Sequence, residues 1–271
     1  MRAALLTEYR KLVSTRMWWV LLLVMVAYLL FIAVVMAFSL ATGGGAGGPG
    51  AGSAAVPQGV DAATTVYALA NPIGYVFPLL VGSLAFTTEF RHRTITSSLL
   101  VEPRRGVLVV AKLVSSVVIG LVFGIVGTAS VVLGGAPVLA AAGDGAFLAS
   151  GDVWSLLAWS VVVLTLWTVV GVAFGGLVPN QVAAIVVIVA FTQFVEPIAR
   201  VVGSAVDALS GVAQFLPGAA ADAVLGTSFF GGLGGGATDL LPRWAGLAVL
   251  VAYALVFAVA ARSTTLRKDI G

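Results

Sequence analysis

Cysteine is absent from all 271 residues, which excludes a disulfide framework, a thiolate nucleophile and a thiol-bound metal. Histidine occurs once, at position 92, so the chain holds no HExxH motif or other histidine-based metal cluster. No GxSxG elbow is present. None of the three lysines, Lys11, Lys112 and Lys268, closes a GxxxxGK(S/T) loop, so the chain has no P-loop of its own. Charge of either sign is scarce: 9% of residues are Asp, Glu, Lys or Arg, against about a quarter in soluble domains. Hydrocarbon takes its place, with 60% hydrophobic residues and a mean hydropathy of +1.12. That is the composition of a polytopic membrane protein in a lipid bilayer. The net charge of +3 is not a nucleic-acid signature, because its distribution follows topology instead of forming a binding face.

What charge there is concentrates in one stretch, EFRHRTITSSLLVEPRRGVLVVAK, residues 89–112. It carries Arg91, Arg93, Arg104, Arg105 and Lys112, with Glu89, Glu102 and His92, between two long apolar runs. A charge at the bilayer centre costs about 2.5–3.5 kcal/mol on insertion scales, so the stretch is expected to be a loop in water. Within it, residues 94–100 fit a short amphipathic helix. Thr94 is the N-cap, Ile95, Leu99 and Leu100 share a face, and Pro103 ends the run. Glu89 and Arg93 stand at i, i+4 and are expected to pair. Two readings stay open: a basic loop that only sets topology, and a docking surface for a soluble partner.

The rest of the chain reads as an all-α membrane protein of one domain with six spans. Residues 1–16 place Leu5, Leu6, Tyr9, Leu12 and Val13 on one helical face with Arg2, Arg10, Lys11 and Arg16 elsewhere, which suits an interfacial helix. Spans follow at about residues 17–41, 65–88, 107–133, 154–178, 182–196 and 244–261. The first is far longer than the core of a signal peptide. The second holds Asn71-Pro72, Gly74, Pro78 and Gly82, so kinks are expected. Gly120 and Gly124 in the third span, and Gly171 and Gly175 in the fourth, have the GxxxG spacing that lets helices approach closely. Between the fifth and sixth, residues 198–209 and 212–225 are too short to span and too apolar for free loop, which suits re-entrant or interfacial helices.

Twelve of the fourteen basic residues fall at the amino end, in the central loop and in the carboxyl tail; Arg200 and Arg243 are the others. By the positive-inside rule both termini and the central loop are cytoplasmic. Glu196 ends the fifth span with Arg200 four residues on, a pairing expected either as an ion pair at the outer rim or gate, or as a proton or substrate site.

Three stretches carry a family likeness: EFRHRTITSSLLVEPRRGVLVVAKL at 89–113, LLTEYRKLVSTRMWW at 5–19, and, more weakly, FLPGAAADAVL at 215–225. With the six-span order, the chain resembles the ABC-2 type permeases of bacterial ATP-binding-cassette exporters. The resemblance implies an amino-terminal elbow helix, re-entrant outer helices between spans 5 and 6, and a cytoplasmic coupling helix formed by Glu89, Arg91, Arg93, Thr94, Leu99, Leu100, Pro103, Arg104 and Arg105. Arg93 stands where the family often has glycine. It implies a non-enzymatic transport subunit of a bacterial cytoplasmic membrane. Its partners would be a separate ATPase subunit, which holds ATP and magnesium, and a second permease chain. An apolar pathway suits an amphiphilic drug, antibiotic or lipid. The alternatives are a secondary transporter and a non-transporting membrane assembly or immunity protein.

Overall fold

An apolar run without proline or glycine has one way to satisfy its backbone in hydrocarbon, the helix. Met17–Ala41 is such a run and forms α1 in the computed structural model, which describes residues 7, 8, 11, 14–42, 57–92, 94, 105–143, 145–229 and 240–265. Met25, Leu29, Ala33, Ala37 and Leu40 make its one buried stripe, packed on α4 (Arg105–Ala142). Phe31 and Phe38 point outward, each 62% exposed. A helix apolar on every side and buried on one suits lipid. Thr7, Glu8, Lys11 and Ser14, ahead of α1, are also helical.

The expected second span is divided. α2 (Val60–Ala68) and α3 (Val76–Arg91) are separated by turns over residues 69–75. Pro72 lacks an amide and disfavours helical geometry at Asn71, so the anticipated kink becomes an interruption. α4 has 38 residues, about 57 Å at 1.5 Å per residue, and runs nine positions beyond the expected end at residue 133. Gly134 and Gly135, just past that expected end, are instead positions of close approach between α4 and its neighbours. A Cβ at Gly134 would stand 2.7 Å from Leu30 O, and one at Gly135 2.4 Å from Val66 Cγ1.

α5 (Gly151–Leu177) is the inner helix, packed against α3, α4 and α10 (Arg243–Ser263). Both glycine pairs pack within the chain. A Cβ on Gly171 or Gly175 would lie 2.2 Å from the carbonyl oxygens of Leu79 and Ser83 on α3, while Gly120 and Gly124 of α4 sit on Thr165 and Val161. Overpacking of this kind costs about 1–3 kcal/mol. Gly175→Ala is therefore expected to lower the thermal unfolding midpoint in detergent by several degrees. Gly151→Ala, whose methyl meets nothing within 4 Å, should not. Equal midpoints for the two variants would contradict the packing account.

After a turn at 178–180, Asn180 caps α6 (Gln181–Ala190), its side chain accepting the amides of Val182 and Ala183. The helix does not stop at Glu196. A π turn, Phe191–Val195, leads into α7 (Glu196–Ala205), and this wider turn lets the chain pass Pro197, which offers no amide. Two short helices follow, α8 (Asp207–Ala213) and the wholly buried α9 (Pro217–Leu225). Met17–Ala41, Gly106–Ala142, Gly151–Leu177, Gln181–Gly203 and Arg243–Ser263 are each long and apolar enough to cross a bilayer. With no strand among the described residues, this is the architecture of an α-helical multi-pass membrane protein.

Packing registers give the directions. Contacts pair residues 171 and 175 with 79 and 83, and 159 and 174 with 244 and 257, so α3, α5 and α10 run parallel. Residues 120 and 124 meet 165 and 161, so α4 runs against α5. Arg91 bonds Gln181 at one end of α3 while Tyr75 bonds Thr192 at the other, so α6 opposes α3. Residues 127 and 134 meet 25 and 30, so α1 runs with α4, and one end of the bundle, the basic end, gathers Arg16, Arg91, Lys112 and Arg262.

Candidate functional site

Two buried polar clusters occupy opposite ends of the bundle; α3 contributes to one, and the turn just before it to the other. At the basic end, Lys112 lies seven residues inside α4 and is 2% exposed. An ammonium has three hydrogens to donate, and each has an acceptor: Glu8 Oε2, Glu89 Oε1 at 2.8 Å and Ala85 O at 3.1 Å. The Phe86 ring lies 5.0 Å from the same nitrogen. Lys11 adds a second cation, 2.9 Å from Glu8 and 3.0 Å from Glu89. Burial opposes the Lys11 ammonium, but hydrogen bonds and charge from Glu8 and Glu89 outweigh it and hold its pKa above the ordinary value. Two carboxylates and two ammonium groups thus neutralise each other where α3, α4 and the segment before α1 meet. They border a cleft of about 350 Å³, lined also by Trp18, Leu84 and Thr94.

This corrects the expectation that residues 89–112 form a loop wholly in water. Glu89 and Arg91 end α3, residues 105–112 begin α4, and pairing replaces the hydration of Lys112 and of Glu89 Oε1, while Glu89 Oε2 is buried with no hydrogen-bond partner among the described residues. Glu89 spends one carboxylate oxygen on Lys11 and Lys112; Arg93, its expected partner, lies outside the described residues. Thr94 donates its amide to Glu89 O at 2.9 Å, closing the end of α3. Arg91 donates to Gln181 Oε1 at 3.2 Å and so ties α3 to α6. The expected short helix, with Leu99, Leu100, Pro103 and Arg104, lies outside the described residues, and Arg105 opens α4.

At the opposite end, Glu196 and Arg200 are both buried, 1% and 9% exposed, and the pair expected between them is not formed, because each meets a closer partner on another element. The Arg200 guanidinium pairs with Asp222 of α9 and donates to Ser228 Oγ at 3.0 Å. Asn71 Nδ2 donates to the other Asp222 oxygen at 3.4 Å. Glu196 accepts the amide of Gly218, in the first turn of α9, and its second oxygen lies 2.9 Å from the Tyr75 hydroxyl. Tyr75 in turn stacks on Trp167, ring centroids 4.5 Å apart.

Sequence reasoning did not find Glu8, Asn71, Tyr75 or Asp222. Asp222 and Glu8 carried a usable signal, since an acid within an apolar stretch needs a partner. Asn71 and Tyr75 carried one only through the Asn-Pro break beside them. Compared with protein-family models and with curated proteins, the chain matches none.

Proposed function

We propose that the chain is the membrane-spanning permease subunit of an ATP-driven exporter of the ABC-2 type, acting with a separate ATPase and a second permease chain. The observation that supports it is the rooting of the charged segment between α3 and α4. Its two ends, Glu89 and Lys112, are joined by an ion pair and held to Glu8, so a force on the segment passes into both helices at once. In this reading α2 and α3 together make the sixth crossing and the segment before α1 is the elbow helix. The basic end faces the cytoplasm by the positive-inside rule. Both termini lie there, and α7 to α9 form the outer cap with Glu196 and Arg200 at its root. Closure of the ATPases on ATP and magnesium would rock the helices between inward-open and outward-open states. A pathway of apolar side chains, glycine and a few hydroxyls suits an amphiphilic drug, antibiotic or lipid.

Purification of the tagged chain from its native membrane tests this. An ATPase subunit is expected to accompany it, with hydrolysis stimulated by lipid or amphiphile and absent once that subunit is stripped away. Transport that persists without any associated ATPase would reject the proposal. Such a result would favour the second reading, an ion-coupled transporter, for which the buried Glu196, Arg200 and Asp222 provide the ionisable groups.

A further inference from the structure

The hydrogens around Tyr75 do not add up if Glu196 is ionised. The phenol has one hydrogen and two acceptors within reach, Thr192 O at 3.1 Å and Glu196 Oε2 at 2.9 Å. Thr192 lies in the π turn, where a carbonyl receives the amide five residues ahead. For Thr192 that position is Pro197, which has none, and the Glu196 amide is given to Phe191 O. The phenolic hydrogen is therefore the donor that satisfies the buried Thr192 carbonyl. An ionised Glu196 would then set an unprotonated oxygen against the lone pair of Tyr75 at hydrogen-bond distance.

Among the described residues, the neighbouring groups do not supply the missing hydrogen. Gly218 N–H from α9 serves the other oxygen, Oε1. Arg200, one turn along on α7, is paired with Asp222 and Ser228. Asp222 faces the cluster from α9 and is bonded by Arg200 and Asn71. From α10, Tyr253 gives its hydroxyl to Phe215 O, and Arg243 gives Nε to Val224 O. The buried charges tell the same way: among the described residues Glu196 and Asp222 are two acids facing the Arg200 guanidinium, which is paired with Asp222.

We propose that Glu196 is a proton-binding site, its Oε2 carrying a hydrogen that bonds to Tyr75, which passes its own to Thr192 O. In this relay each oxygen has a partner, and the neutral Glu196 leaves the pair of Arg200 and Asp222 to balance its own charge. The site lies where α9 meets the broken span, so separating α9 from Tyr75 opens the carboxyl to solvent and lets the proton leave. None of this depends on the permease reading.

Infrared spectroscopy of the full chain in lipid nanodiscs at neutral pH tests the assignment. A carbonyl-stretch band of a protonated carboxylic acid is expected in the parent. It should vanish in Glu196→Gln, shift in Tyr75→Phe and persist in Asp222→Asn. Glutamine keeps the shape of the neutral acid, so the thermal midpoint of Glu196→Gln should match the parent. Absence of the band in the parent overturns the proposal, as does its survival in Glu196→Gln with loss in Asp222→Asn. If Glu196→Gln fails to fold, the shift in Tyr75→Phe decides, and an unmoved band overturns the assignment.

Discussion

Lys112→Met is expected to be among the most destabilising single substitutions in the chain. It takes from the carboxylates of Glu8 and Glu89, 3% and 7% exposed, their buried ammonium and leaves them the more exposed Lys11. Removing one partner of a buried ion network typically costs about 3–5 kcal/mol, a large share of the roughly 5–15 kcal/mol by which folded proteins are stable. Poor accumulation and a sharply lowered midpoint in size-exclusion thermal scans are the expected result. The triple variant Glu8→Gln, Glu89→Gln, Lys112→Met removes every charge that Lys112 served, and it should regain much of the loss. A Lys112→Met midpoint equal to the parent's would show that the network contributes nothing, and a triple variant worse than the single would refute the unpaired-charge explanation.

Replacing Leu99 and Leu100 by serine should uncouple the proposed permease from its ATPase without unfolding it. Both residues lie outside the described part of the chain; in the proposed permease they would be the apolar anchors of the coupling helix. Full burial of a leucine is worth about 1.5–3 kcal/mol, so losing two anchors weakens docking about a hundredfold or more. Every charge is retained, so orientation in the membrane should persist, and this separates docking from a merely topological role. ATPase co-purification and substrate-stimulated hydrolysis read the effect. Normal values of both in a well-expressed double variant would reject the docking role.

The two kinds of position explain what the sequence could reveal. Met17–Ala41 forms the helix expected at those bounds because length and uninterrupted hydrocarbon determine it locally. Gly134, Gly135 and Glu196-Pro197 looked like helix ends by the same local rules, yet α4 and the α6–α7 run pass through them. In α4 the glycines serve packing on Leu30 and Val66; in the other run a π turn accommodates the proline. The site was less legible, since its members are far apart in the chain: Glu8, Glu89 and Lys112 in one cluster, Asn71, Glu196 and Asp222 in the other. Periodicity within a helix could suggest only near neighbours, such as Glu196 with Arg200. Which distant acid meets which base is decided by how the helices stack.

α3 is a lever with a tight grip at each end. Glu89 near its last turn is fixed to Lys112, and Tyr75 just before its first turn is bonded to Thr192 and Glu196. Fourteen residues separate Glu89 from Tyr75, about 21 Å of helix at 1.5 Å per residue. Tilting such a rod by about 3° about one end carries the other sideways by about 1 Å, and a shift of that size directed away from Glu196 takes the 2.9 Å contact beyond hydrogen-bond range. A tilt of α3 away from Glu196 that leaves the ion network at the basic end intact therefore breaks the Tyr75 contact at the other end. The contact with Glu196 thus restrains α3 in that direction while the basic end serves as its pivot.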